Sequence, residues 1–288
     1  RFEIDNKVEK VNCSLKRGQK KVIKRNGKRY ERIADHIGLI PLVIISPADR
    51  NLIIEGSSIR RKFIDGVIGQ TDKYYLKNLL DYNKTLAQRN ALLKYFAINR
   101  TFNQDNLEIY NHQMIELSGQ IHKKRIAFME SFIPVFKQRY DSISANAESV
   151  NIHYNSDLNE SDMEKLLYQN LERDKVLQFT SVGIHKDDLD FEITEVPIKK
   201  FGSQGQQKSF LIALKLAQFD FIKKIAEVNP IVLLDDIFDK LDQNRVTQTI
   251  KLFENETIGQ IFISDTHEDR LKNALTASSS KYEIFNLN

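Results

Sequence analysis

Apolar and polar positions alternate at the start of the chain and fall into a three-four rhythm in its middle. Val11, Cys13 and Leu15 alternate with polar neighbours, and Asn26-Gly27 is the two-residue signal of a type I′ hairpin turn, so residues 1–30 predict a β-meander. Residues 38–45 are a compact apolar run of the kind that forms a strand buried on both faces, and Ser46-Pro47 begins a loop. From Thr71 the period becomes helical. Leu76, Leu79, Asn83, Leu86, Asn90, Leu93 and Ala97 mark the seam of one helix, and Leu107, Tyr110, Met114, Leu117, Ile121 and Phe128 that of a second, after a break at 99–105. The two stripes predict an antiparallel helical hairpin whose first arm, about 25 residues long, spans roughly 40 Å. Pro134 is expected to kink or end the second helix.

Beyond the hairpin the pattern alternates in the α/β manner. Ser161 to Glu164 reads as a capping box opening a helix that runs to about Leu177, and Leu189 to Thr194 as a strand. Then follow helix 204–226, strand 231–235, helix 243–254, strand 260–264, helix 268–275 and strand 282–286. The hairpin lies between two strand-rich regions, as an arm inserted in a globular head. The expected division is a β-rich part of the head at 1–55, a helical arm at 56–180 and the rest of the head at 181–288.

Composition narrows the class. The 288 residues carry 43 Lys plus Arg against 39 Asp plus Glu, a net of +4. That average hides a local excess: residues 1–32 hold 12 Lys/Arg and 4 Asp/Glu, a net of +8, and the remainder is net −4. The basic β-segment, with Lys24 and Arg25, is a candidate for phosphate contact, although lysine-rich strand edges also serve to block edge pairing. The longest apolar run is broken by Pro41 and falls far short of the roughly 20 residues a membrane span needs. A single cysteine, Cys13, excludes an internal disulfide framework and fits a reducing, cytoplasmic setting.

The strongest chemical signal is Ile231-Val232-Leu233-Leu234-Asp235-Asp236, an apolar strand that delivers two carboxylates to its C-terminal end, where ligands bind in open α/β sheets. In a Walker B arrangement the first acid holds Mg²⁺ and the second polarises the attacking water. Other metal or phosphoryl sites, and purely structural uses, share the pattern. Gly202-Ser203-Gln204-Gly205-Gln206-Gln207 is the second signal. Ser203 with Gln206 forms an S-x-x-Q capping box, so a helix starts there with its N–H groups and positive dipole end presented to an anion. Asp242 stands where an ATPase has its D-loop and is equally placed to cap the next helix. His267 follows the strand 260–264 and is a candidate phosphate sensor or water-orienting residue.

A signature helix followed by Walker B marks ATPases of the ABC class. The resemblance is closer than class level. Ser-Pro-Ala-Asp at 46–49, Arg60-Arg61-Lys62-Phe63-Ile64-Asp65, the run Gly183 to Leu189, Ser203 to Gln207 and Leu234-Asp235-Asp236 are similar, in this order, to the motifs of the bacterial RecF family. These are SMC-like recombination mediators with an ABC-type head and a short helical arm. The resemblance implies an ATP-dependent homodimer that binds DNA at single-strand/double-strand junctions with RecR and RecO as partners. It implies that Ser203, Gln204, Gly205 and Gln206 close on the ATP of the opposite subunit. Asp235 matches the Mg²⁺ residue, Asp236 the general-base position and His267 the switch histidine. The chain departs from common patterns in having Asp236 where many ABC ATPases have Glu, Ser46-Pro47-Ala48-Asp49-Arg50 for Ser-Pro-Glu-Asp-Leu, and Gly183-Ile184-His185 for Gly-Pro-His.

Two features qualify that implication. No G-x-x-x-x-G-K-[ST] occurs; Gly27-Lys28-Arg29 lacks the upstream glycine and the hydroxyl. With Arg1 in place of an initiating Met, the expectation is that a first strand, P-loop and helix are missing, and that this chain does not hydrolyse ATP alone. Arg60, Arg61 and Lys62 form a basic cluster just before the arm, a candidate for DNA phosphates or for a solvated helix start. The competing reading is a non-catalytic DNA-binding or scaffold module.

Overall fold

The computed structural model describes residues 1–4, 7–144, 148–236, 259–266, 272 and 281–285. The chain opens with β1 (Phe2–Ile4) and β2 (Lys7–Glu9), paired antiparallel, then β3 (Val11–Ser14), β4 (Val22–Arg25) and β5 (Lys28–Arg29), a second antiparallel sheet. Asn26 and Gly27 both take positive φ, 50° and 84°, as the type I′ turn between β4 and β5 requires. Of the residues expected to form its apolar face, Cys13 and Leu15 are exposed. Ile23 is the buried aliphatic of these strands, so the meander is a thin sheet wetted on most of its surface.

β6 (Leu42–Ile45) leads into α1 (Asn51–Ile54), α2 (Ser57–Thr71) and the hairpin α3 (Lys73–Asn99) and α4 (Gln104–Ser144). The hairpin is antiparallel in a direct register: Asn78 bonds Gln120, Thr85 bonds Gln113, Arg89 bonds Asn111 and Arg125 bonds Tyr75. Its seam differs from the leucine stripe expected on α3. Tyr75, Tyr82, Thr85, Arg89, Leu93 and Phe96 are buried, whereas Asn83 and Ala97 are exposed. The cause lies outside the hairpin: Arg89 meets Asp174 and Thr180, and Arg125 meets Asp187, all in the segment that follows the arm. Polar core positions seven apart on α4, Asn111, Ser118 and Arg125, are invisible to a search for apolar periodicity.

α4 also runs through Pro134 without ending. The carbonyl that proline leaves without a helix partner belongs to Glu130, an exposed residue, and Phe128, Phe132, Phe136 and Tyr140 are buried on either side of Pro134. After β7 (Val150–Asn155), α5 (Met163–Gln169) starts one residue later than the expected box: Asp162 is the N-cap and accepts from the Lys165 N–H at 2.8 Å. A break at Asn170 separates α5 from α6 (Leu171–Leu177).

β8 (Asp188–Ile193) pairs antiparallel with both β7 and β9 (Val196–Pro197). The strand β7 of the 56–180 segment is therefore hydrogen-bonded to β8 of the 181–288 segment. α7 (Ile198–Phe201) then delivers the chain to α8 (Gln204–Ala226), which is buried on nearly all sides from Phe210 to Ile222. A helix apolar all round belongs between two layers, and α8 packs on both β6 and α4. β10 (Ile231–Asp235) and β11 (Ile261–Ser264) complete a parallel sheet of order β11-β10-β6, joining the two ends of the chain around the inserted arm. Residues 281–285, expected as part of a strand, are irregular and exposed. The expected helices 243–254 and 268–275 lie outside the described residues, apart from Lys272. Among the described residues no helix is long and apolar enough to cross a membrane.

Candidate functional site

In a parallel sheet all C-terminal strand ends lie on one edge, and here that edge gathers the polar residues. Leu234 stands beside Ile45, and Asp235 beside Ser264. Val232 and Leu234 point into the core, while Asp235 emerges exposed at the strand end. The Ser264 hydroxyl donates to Asp235 Oδ1 at 2.5 Å and orients the carboxylate. Asp236 follows in the left-handed region, φ 48°, its N–H donating to the Ser264 carbonyl at 3.1 Å. Aspartate is among the few non-glycine residues that adopt this backbone readily. Its Oδ1 is buried with no hydrogen-bond partner among the described residues. A buried carboxylate oxygen left without a donor is costly unless water or a cation completes it, so the Asp235-Asp236 pair fits a hydrated divalent cation.

The second site component is the start of α8. Gly202 links α7 to α8, and a Cβ there would come 2.7 Å from the Ile198 carbonyl oxygen. The expected capping box is present: Ser203 Oγ accepts from the Gln206 N–H at 3.2 Å, and Gln206 Oε1 accepts from the Ser203 N–H at 2.7 Å. Gln207 is buried and donates to the Gly202 carbonyl at 3.0 Å. Ser203, Gln204 and Gly205 are exposed at the helix N-terminus, so their hydroxyl and backbone face outward. Farther along α8, Lys215 is buried and pairs with Asp49 at 2.7 Å. Asp49 also accepts from the Ser46 N–H in a capping box after β6. One ion pair thus ties the signature helix to the loop at the sheet edge.

The candidate DNA contacts divide in two. Arg60 donates to both oxygens of Asp188, at 2.6 and 2.9 Å, and to the carbonyls of Leu52 and Glu55. Arg61 donates to the Asp187 carbonyl. Arg25 forks onto Glu9 and, with Asn26, holds that carboxyl down at about 2. These three arginines are turned onto acceptors of the chain itself, while Lys24 and Lys62 are exposed. The acid that neutralises the start of α2 is Asp188, paired with Arg60, whereas the Asp187 carboxylate pairs with Arg125 of α4. His185 in the same run is half-buried and held between the Tyr82 hydroxyl and the Thr180 carbonyl. Asp242 and His267 lie outside the described residues.

Sequence reasoning missed Ser264, Lys215 and the acid Glu148, which bonds Gln206. Lys215 carried a signal: it is the one cation in the apolar stretch from Phe210 to Ala217.

No family model matches the chain. Curated proteins do. It is 57% identical over 286 residues to the DNA replication and repair protein RecF of Flavobacterium johnsoniae, covering 99% of this chain and 80% of that one. It is 47% identical to the protein of the same name from Bacteroides thetaiotaomicron, over 98% of this chain and 75% of the relative. A solved structure of the recombination mediator protein RecF-ATPrS in the RecFOR pathway superposes with a TM-score of 0.82 at 31% identity, over 92% of this chain and 73% of that one. The Smc head domain of Pyrococcus furiosus, solved with an extended coiled coil and the C-terminal domain of ScpA, matches at a TM-score of 0.50 and 17% identity, covering 94% and 69%, a likeness of fold alone. The inserted arm, the parallel sheet ending in Asp235-Asp236 and the capped Ser203 helix therefore sit on an ABC/SMC-type head, and by identity across almost its whole length the chain belongs to the RecF family.

Proposed function

We propose that the chain acts as a RecF-type recombination mediator in the cytoplasm, binding ATP with Mg²⁺ and closing as a homodimer on DNA at single-strand/double-strand junctions, with RecR and RecO as partners. The observation that carries this reading is the pairing of an exposed capped helix start with an oriented carboxylate pair on one head. Ser203 and the N–H groups beside Gly205 offer donors to a phosphate held by a second subunit. Asp235, oriented by Ser264, would hold Mg²⁺, and Asp236 accepts a proton from water at Oδ1, which has no hydrogen-bond partner among the described residues. Mg²⁺ bound with the nucleotide supplies charge neutralisation on the phosphate oxygens. Asp242 and His267 take the D-loop and switch positions by their place in the sequence.

Sedimentation velocity of the full-length gene product with and without ATP and Mg²⁺ tests the clamp. A nucleotide-dependent dimer, lost in Ser203→Arg, is expected. A monomer under both conditions defeats the reading in favour of a scaffold. Asp236→Asn is expected to keep nucleotide binding and lose turnover.

A further inference from the structure

The side-chain amide of Gln206 is held at both ends. Its Oε1 accepts from the Ser203 N–H at 2.7 Å, and its Nε2 donates to Glu148 Oε1 at 2.5 Å. Glu148 is fixed in turn by Tyr140, whose hydroxyl donates to the other carboxylate oxygen at 2.7 Å. The Tyr140 side chain is fully buried near the end of α4, where Phe136 and Tyr140 pack on the Phe210 ring of α8 with centroids 4.7 and 6.3 Å away. A path of hydrogen bonds therefore runs from the arm's long helix into the signature loop.

This path has a chemical consequence. An amide accepts only through oxygen and donates only through nitrogen, so an N–H on one side and a carboxylate on the other select a single orientation for Gln206. With Gln206 in place, Ser203 Oγ accepts from the Gln206 N–H and its own proton remains to be donated outward. A carboxylate near an anion-receiving helix start would by itself oppose a phosphate. Here two donors, Tyr140 and Gln206, share its charge.

We infer that Glu148 is a positioning residue of the signature loop, orienting Gln206 and through it the Ser203 hydroxyl toward a phosphate presented by a second copy of the chain. The inference rests on the ATP-clamp reading, and its test separates the two. Hydrogen exchange at the amides of residues 203–207 is measured without nucleotide. Dimerisation of the full-length gene product is measured by sedimentation with the slowly hydrolysed analogue ATPγS.

Glu148→Ala is expected to speed exchange of these amides about tenfold and to weaken the analogue-dependent dimer about tenfold, as loss of one charge-assisted hydrogen bond implies. Nucleotide affinity of the monomer is expected to stay unchanged. Glu148→Gln, which keeps an acceptor for Gln206 and a partner for Tyr140, is expected to restore both readouts. Wild-type exchange in Glu148→Ala overturns the inference, as does a dimer of wild-type strength. Failure of Glu148→Gln to rescue also overturns it, because a charge and not an orientation would then be required. If the unaltered protein stays monomeric with the analogue, the clamp reading falls, and the exchange measurement alone decides whether Glu148 positions the loop.

Discussion

Arg89 of the arm and Asp174 of α6 form an ion pair at 2.7 Å with neither side chain reaching solvent. The pair is embedded in further bonds: Asn111 and Thr180 receive the guanidinium, while Ser181 donates to the acid from its N–H and hydroxyl. Removing one partner strands a charge in the interior, so Arg89→Met or Asp174→Asn is expected to cost about 3–5 kcal/mol in urea unfolding. Replacing both with apolar residues is expected to cost less than the sum of the single changes. A single-variant loss below about 1 kcal/mol would show that water reaches the site.

His185 gives stability a defined pH dependence. Its Nε2 lies 3.0 Å from the Thr180 carbonyl, which only accepts, so Nε2–H donates; in the neutral ring Nδ1 then accepts from the Tyr82 hydroxyl at 2.9 Å. Burial pushes its pKa down to about 4 from the ordinary 6.5. Between those values the unfolded chain binds more protons than the folded one, so stability falls as pH drops from 6.5 toward 4. The loss from pH 7 to 4.5 is expected to be about 2 kcal/mol larger in the wild type than in His185→Gln, measured by urea unfolding at both pH values. Equal losses would remove His185 as the cause.

Two glycines with similar backbones should respond differently to a methyl group. Gly27 has φ 84° and open space around it, whereas at Gly38, φ 83°, a Cβ would lie 2.4 Å from the Gln70 carbonyl oxygen. Gly27→Ala is expected to cost about 1 kcal/mol from backbone strain alone. Gly38→Ala adds displacement of α2 and is expected to cost about 1–3 kcal/mol more. Thermal unfolding of the two variants side by side checks the difference.

Lys24 and Lys62 are the exposed members of the basic candidates. Each alanine substitution is expected to lower the salt slope of DNA binding by about 0.9 if that lysine neutralises a phosphate. Arg60→Ala, which breaks the fork onto Asp188, is expected to lower stability and leave the slope intact. A slope change for Arg60→Ala with unaltered stability would reverse this assignment.

These contrasts also explain how much was legible before any coordinates. Helix 204–226 and strand 231–235 matched the structure because their signals are local: a capping box at Ser203 and four aliphatics ending in two acids. The hairpin and its antiparallel sense were legible for the same reason. The burial face of α3 was not, because Arg89 and Arg125 are core residues only by virtue of Asp174 and Asp187, far along the chain. Strand β7 escaped notice since its partner β8 lies beyond the arm's return. Of the site, Ser203, Gln206 and the Asp235-Asp236 placement were readable. Glu148 and Ser264 were not, as each acquires its role through a contact between distant elements.

The parallel sheet also dictates an order of events. β10 pairs with β6 across roughly 190 intervening residues, a loop whose closure alone costs about 5 kcal/mol of chain entropy. An arm that has already folded back on itself brings its two feet together and removes most of that loop. During synthesis β6 leaves the ribosome roughly 190 residues before β10, so that pairing waits until the arm between them has been made. The carboxylate pair at the end of β10 thus joins this sheet edge only after the arm has been synthesised, and a chain stopped short of β10 lacks it.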